Sequence, residues 1–122
     1  MGRRVLVIED EANIVAAISY ILARDGWEVE THGDGGDALE VIRAVRPDLV
    51  ILDMMLPGRS GLDILRALRA DADTAALPVL MLTARGQLHD RALAETSGAD
   101  RFMAKPFSNT EVLASVREMV AS

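Results

Sequence analysis

The chain has no cysteine among its 122 residues. A disulfide scaffold, a thiolate zinc site and a cysteine nucleophile are therefore excluded. Aromatic residues make up only 3% of a chain that is half hydrophobic, so the core has to be aliphatic. No long basic run occurs, and the formal net charge is -6. A surface of that sign repels phosphate backbones and anionic lipid, which argues against direct contact with nucleic acid or membrane. No apolar run approaches the roughly 20 residues of a membrane span. Met1-Gly2-Arg3-Arg4 leads into a strand and not into the apolar segment of a signal sequence. The expectation is a soluble, cytoplasmic protein with one domain over residues 1–122, a length that buries roughly two thirds of the extended-chain surface.

What the chain does have is alternation. Residues 3–8 read as a buried strand, Val5-Leu6-Val7-Ile8, ending in Glu9-Asp10-Glu11. Ile14, Ile18, Ile21 and Leu22 then share one helical face, and Gly26 closes that helix. Residues 27–31 make a weaker strand and Asp34-Gly35-Gly36 a turn. Ala38, Leu39, Ile42 and Val45 mark a second helix, broken by Pro47. Residues 49–52 are continuously apolar, as in a strand covered on both faces. After a loop with Pro57 and Gly58, Ser60 caps a third helix carrying Ile64, Leu65 and Leu68. Residues 79–83 give a fourth strand, 87–97 a helix with a weak apolar face, and 101–104 a fifth strand. Ser108 and Glu111 have capping-box spacing before the last helix, with Phe107 and Val112 as its hydrophobic staple. Five such units on short connections predict an α/β fold. It is a doubly wound (βα)5 three-layer sandwich with a parallel five-stranded sheet in the order 2-1-3-4-5.

In such sheets ligands bind beyond the carboxyl ends of the strands, where the strand order reverses. Here that point lies between the first and third strands, so Glu9 and Asp10 meet Asp53. Thr83 and Lys105 reach the same rim from the fourth and fifth. One pair of like charges at ~4 Å costs about 4 kcal/mol at an effective dielectric of about 20, and a divalent cation resolves the conflict. All-oxygen ligands in a shallow, water-open position favour Mg2+, or Mn2+, over zinc. Cation, ammonium and hydroxyl form a clamp for a transferring phosphoryl group, with Asp53 as a nucleophile that becomes an acyl phosphate. Singly, each residue has an ordinary explanation. The acidic run suits a helix start, Asp53 a turn cap, Thr83 a strand end, Lys105 a solvated turn and Phe102 the core; their convergence on one rim favours the chemistry. His32 and His89 have no convergent partner and read as surface residues. Arg3-Arg4 and the Arg66, Arg69 pair read as solvated faces.

Glu9-Asp10 after the first strand, Asp53 followed by Leu56-Pro57-Gly58 and Gly61, Thr83-Ala84, and Lys105-Pro106-Phe107 jointly resemble, over essentially the whole chain, the response-regulator receiver domain of two-component signalling. The resemblance implies a signalling phosphoacceptor and not a turnover enzyme, one that catalyses only its own phosphorylation and slow dephosphorylation. Asp53 would be loaded from the phosphohistidine of a sensor histidine kinase or a phosphotransfer protein. Asp10 and Asp53 would ligate Mg2+ directly, Glu9 through water, and the Met55 backbone carbonyl would be the third protein ligand. Thr83 would hydrogen-bond the phosphoryl group and move toward it, Phe102 would be the switch aromatic, and Lys105 would pair with a phosphoryl oxygen beside a cis Lys105-Pro106 peptide. The helix over 87–97, the fifth strand and the last helix would form the face that controls a partner or output domain. That face could also pair in a homodimer, with Arg91, Arg101 and Glu111 as candidates.

Two departures from the family pattern stand out. Met55 occupies a position where family members often carry a polar side chain, with Arg85 opposite it, two residues after Thr83. A thioether cannot orient a water, so self-dephosphorylation is expected to be slow. Phe102 replaces the commoner tyrosine and lacks its hydroxyl. Two other functions compete. A magnesium-dependent phosphohydrolase of the haloacid-dehalogenase kind would need a second carboxylate where Met55 stands. A degenerate receiver that binds partners without accepting phosphate is opposed by the intact Glu9, Asp10, Asp53, Thr83 and Lys105. A single-domain regulator and the receiver portion of a larger protein both fit the chain.

Overall fold

Strands that are apolar at every position can only be satisfied if both faces of the sheet are covered. Every residue of β3 (Leu49–Asp53) and β4 (Val79–Thr83) is buried, and so is all of β1 (Arg4–Ile8) after its first residue. The flanking strands β2 (Glu28–His32) and β5 (Arg101–Ala104) are mixed. The exposed charges Glu28, Glu30 and Arg101 on these edges discourage pairing with a foreign strand. The computed structural model describes residues 3–83, 92 and 96–121. Within them all four strand pairings are parallel and the order is β2-β1-β3-β4-β5, as the alternation predicts.

Alternate side chains of each strand point to opposite faces, and two cores result. Leu6, Ile8, Val50, Leu52, Val79 and Met81 pack under α2 (Ala38–Val45) and α3 (Gly61–Ala70). Val5, Val7, Leu49, Ile51, Leu80 and Leu82 pack under α1 (Ala12–Arg24) and α4 (Asn109–Ala121), which contribute Ile18, Leu22, Val112 and Val116. Each fully buried aliphatic side chain stabilises the fold by about 1.5–3 kcal/mol.

The helix ends follow the local signals. Ser60 Oγ accepts from Asp63 N at 3.2 Å. Ser108 and Glu111 reciprocate at 3.1 and 3.0 Å, and Phe107 packs on the cluster that holds Val112. Gly26, at φ +95°, ends α1. The next strand starts one residue later than expected, because the Trp27 N–H turns back to Leu22 O at 3.0 Å. Arg46 ends α2 in the left-handed region, at φ 54°; the ring of Pro47 disfavours the helical conformation for the residue before it.

The helix expected over residues 87–97 lies largely outside the described residues, as do Ala84, Arg85, His89 and Arg91. Ala92 and Thr96 are helical, and Thr96 Oγ1 donates to Ala92 O at 2.8 Å. No helix among the described residues is long and apolar enough to cross a membrane.

One expected surface residue is misplaced by the sequence reading. Arg69 is not part of a solvated face: its side chain is 19% exposed. Its Nε donates to Gly98 O at 2.8 Å, Nη1 to Leu77 O at 2.7 Å, and Nη2 to Asp100 Oδ2 at 2.8 Å. Asp100 in turn accepts from Val79 N. Loop carbonyls outside any ladder still need donors, and a guanidinium fork serves several of them at once. Arg4 is similarly committed, donating to Val45 O at 2.9 Å.

Candidate functional site

Ile8 pairs with Leu52 across the parallel β1–β3 ladder, so the residues that follow each strand emerge side by side. Glu9 and Asp53 are 1% and 3% exposed, whereas Asp10 is exposed. One carboxylate oxygen from each of the three lies within 4.8 Å of the others. Lys105 arrives from the turn after β5. Its Nζ lies 2.8 Å from Glu9 Oε1, 3.2 Å from Asp53 Oδ2 and 3.3 Å from Glu11 Oε1.

Backbone contacts hold these groups in place. Met55 N donates to Asp53 Oδ1 at 3.3 Å and Glu11 N to Glu9 Oε2 at 3.0 Å. Lys105 N donates to Thr83 O at 2.8 Å, which ties the end of β5 to that of β4. The Lys105-Pro106 peptide is cis, as expected. The loop after Asp53 is packed too tightly for side chains at its glycines. A Cβ on Gly61 would overlap the Asp53 carbonyl, and one on Gly35, from the turn after β2, would overlap the Arg59 carbonyl. Gly35 N donates to Pro57 O at 2.8 Å, so the two loops brace each other.

Four carboxylates, those of Glu9, Asp10, Asp53 and Glu11, gather around one ammonium, so negative charge is in excess. Burial holds the Glu9 carboxyl above the usual carboxylate range; Lys105 and the Glu11 N–H partly offset that rise, and the charge of Asp53 adds to it. Burial alone would lower the Lys105 ammonium, but the close approach and charge of Glu9 and the charge of Asp53 together hold it above its ordinary value. Although Glu9 Oε1 is so close to Lys105, among the described residues no donor meets it with hydrogen-bond geometry. A buried anionic oxygen left with proximity alone, in an all-oxygen cluster with one water-open member, fits a hexacoordinate Mg2+ that retains several waters.

The sheet brings together Glu9, Asp10, Asp53 and Lys105 as the sequence predicts. Thr83 is 3% exposed at the end of β4, one residue beyond Leu82, the β4 partner of Asp53. Phe102 is half-buried against the core under α2 and α3. Met55 is 72% exposed on the rim. Arg101 and Glu111 already have partners within the chain, Glu118 at 3.1 Å and Ser108 N at 3.0 Å.

Two features escaped the sequence reading. His32 is not a partnerless surface residue: its Nε2 lies 2.6 Å from Asp37 Oδ1, and that contact is the main reason the Asp37 carboxyl sits below its usual range. The signal was the short Gly-Gly turn between the two residues. Glu11 read only as part of a helix start, yet it reaches Lys105; its adjacency to Glu9-Asp10 was the available clue.

The family model for the Response regulator receiver domain matches residues 5–117. The DNA-binding response regulator MtrA of Mycolicibacterium paratuberculosis is 43% identical over 117 residues, which cover 96% of this chain and 51% of MtrA. The phosphate regulon transcriptional regulatory protein PhoB of Klebsiella pneumoniae is 40% identical over 120 residues, 98% of this chain and 52% of PhoB. The chain thus spans about half the length of these curated relatives. Among solved structures, the receiver domain of a sensor histidine kinase from Pseudomonas aeruginosa PAO1 has a magnesium ion coordinated in its active site cleft. It is similar at a TM-score of 0.90 and 27% identity, with both chains fully covered.

Proposed function

This chain belongs to the response-regulator receiver domain family of two-component signalling, and from that premise we propose that Asp53 is its phosphoacceptor. The observation that carries the reading is the cluster of Glu9, Asp10 and Asp53 oxygens within 4.8 Å, with the Lys105 ammonium 3.2 Å from Asp53. An Asp53 oxygen attacks the phosphorus of a donor phosphohistidine. The N–P bond breaks as the O–P bond forms, and the imidazole leaves with the electron pair and takes a proton from water. Met55 N, bonded to Oδ1, orients the carboxylate. Lys105 offers an N–H to the arriving phosphoryl oxygens, and the Thr83 hydroxyl offers another donor from β4. Mg2+, held by Asp10, Asp53 and the Met55 carbonyl and through water by Glu9, would supply further charge neutralisation; Mn2+ suits the same oxygen donors.

The donor is a sensor histidine kinase or a phosphotransfer protein in the cytoplasm. A groove of about 530 Å3, lined by Ile14, Ala17, Pro106 and Phe107 among others, opens beside Lys105 and offers a partly apolar seat for a donor domain. The chain catalyses its own loading and slow unloading, without steady turnover. Loading draws Thr83 toward the phosphoryl group and Phe102 inward, and resets the face made by residues 87–97, β5 and α4. That face controls an output domain or partner and is the surface for a homodimer. A coupling of about 1–3 kcal/mol changes partner affinity severalfold to a hundredfold.

Intact-mass measurement after exposure to acetyl phosphate and Mg2+ tests the reading. One added phosphoryl group is expected, lost in Asp53→Asn. No gain, or a gain that survives Asp53→Asn, would instead support a binding module that does not use this aspartate.

A further inference from the structure

Lys105 has three carboxylate neighbours within 3.3 Å, and among them it donates to Glu11 with hydrogen-bond geometry. A phosphoryl oxygen arriving on Asp53 competes with these carboxylates for the ammonium. The three are not equal. Glu9 is buried, and stripping it of its cation would leave an uncompensated interior charge. Asp53 is the atom being loaded. The Glu11 side chain is 61% exposed, so water can take over its solvation at little cost.

The local geometry shows why Glu11 is there. It occupies the N-cap of α1 but makes no side-chain cap hydrogen bond. Its carboxylate instead reaches Lys105, 94 positions away in sequence. Its own N–H holds Glu9 Oε2, which closes a ring of Glu9, Glu11 and Lys105 beside the acceptor.

We propose that Glu11 is a displaceable counter-ion of Lys105, a positioning residue whose carboxylate occupies in the resting state the N–H that a phosphoryl oxygen takes when Asp53 is loaded. This rests on the reading of Asp53 as the phosphoacceptor. Glu11 thereby opposes loading and sets the threshold at which a donor succeeds.

The test is titration of the full chain with beryllofluoride, a mimic of the aspartyl-phosphoryl group, at saturating Mg2+, followed through backbone amide resonances. Glu11→Gln removes the charge; Glu11→Asp keeps the charge but shortens the reach. Both variants are expected to half-saturate at about two- to fivefold lower beryllofluoride than the parent, the range of an exposed ion pair. The difference should shrink at about 1 M salt, where the Debye length is ~3 Å. A variant that merely loosened the fold would show neither the gain nor its salt dependence. Unchanged or weaker binding in both variants overturns the inference while leaving Asp53 as acceptor. A parent that takes up no beryllofluoride overturns the acceptor reading and this inference with it.

Discussion

Met55 presents an exposed thioether two residues beyond a carboxylate expected to carry an acyl phosphate. Hydrolysis of that bond needs a water aligned with phosphorus, and a thioether neither accepts strongly nor donates. Met55→Asn is therefore expected to speed acyl-phosphate decay by about tenfold, less than the roughly hundredfold or more of a full general base, because an amide orients the water without taking its proton. Decay of the phosphorylated mass after removal of donor measures this, and equal rates in parent and variant would rule out a role for Met55. At this scale the sequence was informative wherever backbone topology alone decides position: Glu9, Asp10, Asp53 and Lys105 follow from strand order. It was silent where a rotamer decides. The pattern brings Glu11 near Lys105 and His32 near Asp37, but it does not say that the side chains turn to meet.

Helix and strand boundaries were legible because they depend on neighbours in sequence. Ser60, the Ser108–Glu111 pair and Gly26 act within one turn of themselves. Arg69 was not legible, because its partners are carbonyls delivered by two separate loops, at Leu77 and Gly98. Its period on α3 marks it only as polar. Arg69→Ala leaves those carbonyls without the guanidinium and Asp100 with Val79 N but no cation, and should destabilise the chain by about 1–3 kcal/mol. A urea midpoint within error of the parent would show that water replaces the guanidinium at no cost. Gly61→Ala bears on the same scale. Its methyl group collides with the Asp53 carbonyl, so Asp53 must shift before the helix can form. Phosphorylation by acetyl phosphate should slow more than stability falls; parent-like loading would mean that the loop relaxes without moving Asp53.

Across the whole molecule the acidic site works against the fold that holds it. Glu9 is raised, so its contribution is fully present below its ordinary value of 4.5 and is lost as pH climbs through the raised one. Asp25, bonded by Arg117, and Asp71, bonded by the Asp73 N–H and Arg43, are lowered. Their contributions are present above 3.8 and lost as pH falls through the lower folded values. In chelator, parent stability is expected to fall as pH rises above 4.5 more steeply than that of Glu9→Gln, with Mg2+ lifting the parent again by mass action. Parallel denaturation curves for the two proteins would contradict it. The interlocked turns around Gly35 and Gly61 add one more consequence. A carbonyl seated where even a methyl would collide leaves that flank no slack. Any displacement that a new group on Asp53 imposes is therefore expected to fall on β4 and β5 rather than on β2 and α2. On that expectation, the heading of a signal from Asp53 is set by where the molecule yields least.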